Sequence, residues 1–508
     1  MRKILRFITQ RVVLTALLIV LQALLLFGII WKLNNYFVYF YAASVLLSLL
    51  LTLRIINNKS NPAFKIAWLI PILLFPVLGG LVYLVFGSDR TGKYIRNKMG
   101  RIEKEMQDGI SKANERSGIE KMPPDVVNQS HYISNSAHCP PYKNTTVEYL
   151  PMGEVKFERM VQELKKAKRY IFMEYFIIQE GTMWNTILDV LEEKTKEGVD
   201  VRVIYDDMGC ILTLPTGYEK TLREKGIQCQ IFNPFIPILS SHFNTRDHRK
   251  ICVIDGNVGF TGGINLADEY INGYEKHGHW KDTAILLKGE AVFSLTTMFL
   301  SMWDYLIKKE GEDYAAYYPD SWDENAQGIV QPFADNPLDD EAVGETVYLN
   351  LINKAKRYVY ITTPYLILSN EMVTAMNTAA KSGVDVRIIT PHVPDKWYVH
   401  AVSRSYYEML VEAGVKIYEY TPGFVHAKTF VVDDEYAVVG TINLDYRSLY
   451  LHFECAAWMY KASCVTDVRD DFLKTQQMSQ EITLEECRNI SIPRRLGRSV
   501  LRVLAPLM

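Results

Sequence analysis

Two stretches of the chain carry the same pattern of chemistry-bearing residues. His248-Arg-Lys250-Ile-Cys-Val-Ile-Asp255 runs on to Gly262-Gly263-Ile-Asn265, and His426-Ala-Lys428-Thr-Phe-Val-Val-Asp433 runs on to Gly440-Thr441-Ile-Asn443. Both obey H-x-K-x4-D-x6-G-[GT]-x-N without a gap. A single H-x-K is common, but two complete matches at equivalent places in one chain are a specific signal. Ile251–Ile254 and Thr429–Val432 read as strands. Side chains two apart on a strand share a side, so each histidine projects with its lysine. Asp255 and Asp433 have the opposite parity and stand where the strands end, so a turn role competes evenly with a catalytic one. The Gly-x-Asn that follows offers a close backbone approach and an amide able to bond a phosphate oxygen.

Two histidines, two lysines and two asparagines facing one another suit a phosphodiester. Lysines and asparagines would hold the non-bridging oxygens and offset transition-state charge. One histidine would attack phosphorus and form a covalent phosphohistidine. The other would protonate the leaving alkoxide and then deprotonate the incoming hydroxyl. This chemistry needs no metal, and the sequence shows no obvious carboxylate cage for one. The candidate catalytic residues are therefore His248, Lys250, Asp255, His426, Lys428 and Asp433, with Asn265 and Asn443 as substrate-binding residues.

The elements that position these residues are themselves duplicated. Lys166-Ala-Lys-Arg-Tyr170 recurs as Lys354-Ala-Lys-Arg-Tyr358, and Gly-Val-Asp-Val-Arg occurs at 198–202 and 383–387. The repeat is far longer than the roughly 20–50 residues of a solenoid. Apolar strand-like runs such as Tyr170–Ile178 and Val199–Tyr205 alternate with helical stretches such as Trp184–Glu197. An α/β fold with two copies packed about a pseudo-two-fold axis follows. The copies span 146–310 and 346–487, separated by an acidic, turn-rich linker at 311–345. A charged linker occupies 89–145.

Composition narrows the partners. Of 508 residues, 48% are hydrophobic and 22% charged, which excludes a disordered chain. The net charge of -2 argues against nucleic acid, which demands excess basic charge. Seven cysteines without a CxxC pair indicate neither a disulfide framework nor a zinc site. Asp206-Asp207 reads as a solvated turn, and His277 and His279 as surface-loop histidines.

Residues 1–88 read as a membrane anchor, with apolar segments 12–31, 36–53 and 66–86. The first is long enough to span a bilayer. Pro71, Pro76, Gly79 and Gly80 make the third a kinked, re-entrant or interfacial segment. Basic residues flank both ends of the region, so the positive-inside rule places the catalytic halves in the cytoplasm and leaves two or three spans open. Residues 488–508 hold five arginines and no acid, with Leu496, Val500, Val503, Leu504 and Leu507 at near-helical spacing. This segment reads as a basic amphipathic helix on an anionic membrane or as a docked terminal helix.

The duplicated motif resembles the phospholipase D superfamily, and the resemblance extends to bacterial cardiolipin synthases of that type. The similar stretches include Trp280-Lys-Asp282-Thr283, Thr363-Pro-Tyr365, Arg404-Ser-Tyr-Tyr407, Gly423-Phe-Val-His426-Ala-Lys428 and Gly440-Thr-Ile-Asn-Leu-Asp445-Tyr-Arg447-Ser448. The segment from Pro71 to Gly87 resembles the family's membrane-anchoring module. The resemblance implies two phospholipase D-like α-β-α domains and a transferase that joins two phosphatidylglycerol molecules into cardiolipin. Glycerol would leave and a phosphatidyl-histidine would form, without a cofactor. It further implies His248 as nucleophile, His426 as acid/base, and Asp282 and Glu454 as the carboxylates that orient the histidines. A phospholipase D hydrolase or another headgroup transferase shares this chemistry up to the entry of the acceptor, and an inactive membrane scaffold is the reading from a different class. One departure stands out: the family's usual Asn-Phe-Glu reads His452-Phe-Glu454 here.

Overall fold

The computed structural model describes residues 37–87, 118–235, 244–309, 313–339 and 341–507, with isolated positions from 20 to 32 and from 96 to 110. In the first half the strands are β1 (Thr145–Leu150), β2 (Tyr170–Tyr175), β3 (Asp200–Asp206), β4 (Gln228–Phe232), β5 (Arg246–Asp247), β6 (Lys250–Ile254), β7 (Val258–Gly262), β8 (His279–Lys281) and β9 (Ala284–Gly289). The second half follows with β10 (Ile329–Asp335), β11 (Tyr358–Thr362), β12 (Asp385–Pro391), β13 (Lys416–Tyr420), β14 (Gly423–Val425), β15 (Thr429–Val432), β16 (Tyr436–Gly440), β17 (His452–Tyr460) and β18 (Ser479–Glu481).

The sheet orders are β1-β9-β7-β6-β2-β3-β4 and β10-β17-β16-β15-β11-β12-β13-β18. The second order is the first repeated strand for strand, with β18 added at one edge. In both, the three strands at the β2 or β11 side are parallel and joined through helices: Thr182–Lys196 and Tyr218–Glu224 in one half, Asn370–Lys381 and Trp397–Glu412 in the other. Such crossovers bury both faces of the sheet, which is why β2 and β11 are apolar-rich strands buried along their whole length. The motif strands β6 and β15 run antiparallel beside them, at the centre of each sheet.

The halves share one core. Phe172, Ile251, Val253 and Leu287 of the first half belong to the same buried cluster as Val359, Val431 and Ala456 of the second. The helix Val292–Ile307 runs through that cluster and is buried at every position from Val292 to Asp304. Each large apolar side chain so buried contributes about 1.5–3 kcal/mol. A large apolar interface of this kind fixes the halves relative to each other.

Two segments read as linkers carry structure instead. Within 311–345 lies β10, which pairs with β17. The acidic, turn-rich flanks mask it in the sequence, and Pro332 is tolerated because β10 is an edge strand. Within 89–145 lies the helix Pro124–Ala137, whose Val126 and Ile133 are buried. Gln331 Nε2 ties it to β10 by donating to Ser130 O at 3.1 Å and Cys139 O at 2.7 Å.

Among the described residues, no helix is long and apolar enough to cross a membrane. The segment 12–31 lies largely outside the described residues. The segment 36–53 falls in the helix Phe37–Asn57, and 66–86 breaks at Phe75 into Pro62–Leu74 and Pro76–Phe86. Pro76 opens the second of these short helices and cannot continue the first. Leu51, Ile55, Ile72 and Tyr83 form a small core among the three. Asn61 Nδ2 donates to Tyr450 Oη at 2.9 Å, and Phe64 packs edge-on to Tyr446 and Tyr450, which joins this module to the second half.

Candidate active site

Two short ribbons cross between the halves and build the site. β5 pairs in parallel with the start of β17, Arg246 opposite His452 and Asp247 opposite Phe453. β8 pairs in parallel with β14, Trp280 opposite Phe424 and Lys281 opposite Val425. The ladders end at the histidines: His248 N–H donates to Phe453 O at 2.9 Å and His426 N–H to Lys281 O at 2.7 Å. Each histidine is thereby held beside a carboxylate of the opposite half. His248 Nδ1 lies 2.8 and 3.0 Å from the Glu454 oxygens, and His426 Nδ1 lies 2.6 Å from Asp282 Oδ2.

All of these groups are buried. Burial pushes the His248 pKa down to about 3 against the pull of Glu454, and the His426 pKa down to about 4, with Lys428 adding to the fall and Asp282 opposing it. Burial works against the Glu454 charge, but His248, His452 and Lys250 hold that carboxyl well below its usual range. Each ring is therefore neutral near pH 7. A carboxylate accepting from Nδ1 leaves the Nε2 lone pair free for chemistry.

The lysines close the cluster. Lys250 Nζ donates to His248 O at 2.5 Å, and Lys428 Nζ donates to His426 O and lies 2.8 Å from His426 Nδ1. Burial lowers Lys250 to about 8 and Lys428 to about 7. Since each histidine is held by a carboxylate of the other half, the two motifs form one site.

Asn265 and Asn443 are buried just beyond β7 and β16, the strands that follow the motif strands. Asn265 accepts from Ile177 N–H at 3.0 Å and donates to Tyr270 Oη at 2.7 Å, while Asn443 donates to Ser448 Oγ at 3.0 Å. Each amide has a second N–H beyond the bond it donates here.

Asp255 and Asp433 do not belong with the catalytic residues. Each stands at the far end of its motif strand, seven residues and roughly 20 Å from its histidine. Asp255 accepts from the N–H groups of Lys168, Arg169 and Tyr170 at 2.7–2.9 Å, and Asp433 from those of Lys356, Arg357 and Tyr358 at 2.7–2.8 Å. They pin the chain entering β2 and β11 to the motif strand. The repeated Lys-Ala-Lys-Arg-Tyr is the segment they hold, which explains why it recurs with the motif.

Asp206 is also not a solvated turn. It is buried, pairs with Arg246 at 3.6 Å, and accepts from Met208, Gly209 and Asp247 N–H groups; burial lifts its pKa to about 7. His279 bonds Tyr420 Oη at 2.9 Å on β8 and is not in a loose loop.

Sequence reasoning missed further groups around the histidines. Thr441 Oγ1 donates to Glu454. Gly263 leaves room for Asp282, since a Cβ there would lie 2.1 Å from Oδ1. Arg249, the middle residue of the first H-x-K, turns the other way and pairs with Glu174 at 2.6 Å and Asp247 at 3.2 Å. Strand parity predicts that direction but names no partner. Aromatic rings wall both ends: Phe176 lies 5.0 Å from His248, and Trp280 and Tyr270 lie 5.6 and 5.7 Å from His426.

Comparison with known proteins gives the same frame. The family described as "Cardiolipin synthase, PLD-like domain" matches residues 160–303 and 348–476, and "Phospholipase_D-nuclease N-terminal" matches 46–88. The chain is 35% identical to a cardiolipin synthase of Alkalihalophilus pseudofirmus over 455 residues, 89% of this chain and 90% of the relative. It is 37% identical to a cardiolipin synthase of Geobacillus thermodenitrificans over 457 residues, again 89% and 90%. An uncharacterized protein of Streptococcus mutans is 47% identical over 461 residues, 90% of this chain and 99% of that one. A crystal structure of phosphatidylserine synthase from Haemophilus influenzae shares the fold, with a TM-score of 0.59 at 15% identity over 75% of this chain and all of that one. With both halves and the preceding module matched, the chain belongs to the cardiolipin synthases of the phospholipase D superfamily.

Proposed function

We propose that this protein is a phosphatidyltransferase that joins two phosphatidylglycerol molecules into cardiolipin and releases glycerol. The observation that carries this reading is the cross-paired site: each H-x-K histidine is buried, neutral and held by a carboxylate of the other half. His248 Nε2 attacks the phosphorus of the first phosphatidylglycerol. The bond from phosphorus to the glycerol oxygen breaks, and His426 delivers a proton to the departing alkoxide. The bound anion favours the protonated imidazole that this step needs. Lys250, Lys428 and the free amide hydrogens of Asn265 and Asn443 hold the non-bridging oxygens. His426 then takes a proton from the primary headgroup hydroxyl of a second phosphatidylglycerol, which attacks phosphorus. The N–P bond breaks, cardiolipin leaves and His248 is restored.

The setting is a membrane. Leu46, Leu49, Leu50 and Leu53 on the helix Phe37–Asn57, and Leu73 and Leu74 beyond it, are exposed. The C-terminal helix Ile492–Leu504 exposes Ile492, Leu496 and Val500, while Arg488 and Arg495 pair with Glu408 and Glu412 and Arg502 lies over the Tyr406 ring. Exposed apolar residues on the side away from these contacts suit a lipid surface. We assign the attachment as multi-pass with the catalytic halves on the cytoplasmic side, on the distribution of Lys and Arg around the apolar segments.

The test is to incubate the purified full-length protein in detergent with phosphatidylglycerol and a chelator, then separate the lipids. Cardiolipin and free glycerol in equal amounts are expected. Phosphatidic acid as the sole product would replace the transferase by a hydrolase.

A further inference from the structure

One imidazole beside the site carries no step of the reaction above. His452 is two residues before Glu454, on the strand that bridges the halves. Its ring lies 5.7 Å from that of His248, and its Nδ1 lies 3.8 Å from Glu454 Oε1. Its side chain is 11% exposed, yet neither ring nitrogen has a hydrogen-bond partner. A buried polar atom left unpaired is destabilising and marks a place where a partner is missing.

We propose that His248, His452 and Glu454 form a binding site for a divalent transition-metal ion of the zinc class, and that filling it switches the enzyme off by capturing His248. One ligand atom from each of the three lies within 4.8 Å of the others. Zinc bonds of about 2.0–2.2 Å set tetrahedral ligand atoms about 3.3 Å apart, so small side-chain rotations close the site. Two imidazoles and one carboxylate, with a fourth position open to water, are a donor set that zinc accepts. The ion enters between His248 Nδ1 and Glu454, replaces that hydrogen bond, and releases the Nδ1 proton to solvent. The imidazole is then fixed to the metal and its orientation toward phosphorus is lost. Lys250 and Lys428 nearby oppose a cation, so the site is a reversible one and not a structural zinc.

The other end of the active site lacks this capacity. The residue two before Asp282 is Trp280, whose indole Nε1 is a donor without a lone pair. The chelating set thus forms at one histidine only. It forms there because the residue two before Glu454 is a histidine.

The test uses the full-length protein in detergent, with Co2+ as the spectroscopic probe and Zn2+ as the inhibitor. One Co2+ per chain with visible d–d absorption is expected, and Zn2+ should stop lipid transfer until a chelator is added. His452→Asn should lose the cobalt spectrum and raise the Zn2+ concentration that halves its own metal-free rate by about 10-fold or more. His452→Gln serves as the second variant if the first folds poorly, and Trp280→Phe should leave the cobalt spectrum unchanged. An unchanged spectrum in both His452 variants, or no Co2+ bound by the starting protein, overturns the proposal. The cobalt readout requires no turnover, so it stands or falls apart from the assigned reaction.

Discussion

The two ends of the active site share a backbone and differ in their supports. At one end His248 faces Glu454, which is fixed by the Thr441 hydroxyl. At the other, His426 faces Asp282, shorter by one methylene, and Gly263 stands where Thr441 does in the repeat. The first end is lined by Phe176 and His452, the second by Trp280, Phe424 and Tyr270. Duplication kept the strand register and the H-x-K spacing, while the neighbours diverged. The longer carboxylate needs a hydroxyl to hold it, and the shorter one needs an empty Cβ position. Equal reacting groups with unequal neighbours are what allow two histidines to take different roles.

The sharpest way to break this comparison is to remove each histidine in turn. His248→Asn and His426→Asn should each lower lipid transfer by about 10³-fold or more. They should differ in what accumulates. With His426→Asn the nucleophile survives, and intact-mass measurement should show a phosphatidyl adduct on the protein. With His248→Asn no adduct should form. An adduct in the His248 variant alone would exchange the roles of the two ends.

A smaller effect tests the supports. Thr441→Val removes the donor to Glu454 and leaves the Cys455 N–H, which lies 3.0 Å from Thr441 Oγ1, without its acceptor. A hydrogen bond to a charged group contributes about 1.5–3 kcal/mol, so thermal stability and turnover should both fall, turnover by about ten-fold. Gly263→Ala fails for the opposite reason, because its Cβ would meet Asp282 Oδ1 at 2.1 Å. The valine variant should disturb the pH profile of the His248 step and the alanine variant that of the His426 step. If both variants gave one common profile, the two supports would not act on separate histidines.

Much of this was legible in the residues. The repeat of Lys-Ala-Lys-Arg-Tyr, Gly-Val-Asp-Val-Arg and H-x-K marked the duplicated α/β halves, and strand parity placed each lysine with its histidine. The crossing of carboxylates between halves was not legible. It depends on the β5–β17 and β8–β14 ribbons, which are two or three residues long and carry no periodic signal. Asp255 and Asp433 were half-read, since parity turned them away from the site but could not name the backbone they hold. β10 was hidden because seven strand residues within an acidic, turn-rich stretch do not shift its composition.

The pH response of the lysines separates the ends most finely. Burial lowers Lys428 from the ordinary 10.5 to about 7 and Lys250 to about 8. Both are cationic at pH 6 and largely neutral at pH 9, so the KM for phosphatidylglycerol should rise across that range, by up to about ten-fold for each charge lost. The His426 end loses its cation first. Lys428→Arg keeps the charge at every pH and should leave only the rise near 8 that belongs to Lys250. Stability should rise over the same range as binding weakens. The folded state holds these lysines neutral while the unfolded chain keeps them protonated up to about 10.5, so the unfolded state binds more protons between about 7 and 10.5. Stability then grows as pH rises through that window. Thermal midpoint and KM measured on the same preparation should therefore climb together from pH 7 to 9. A midpoint that falls while KM rises would place the lysines in a solvated setting and remove the electrostatic difference between the two ends.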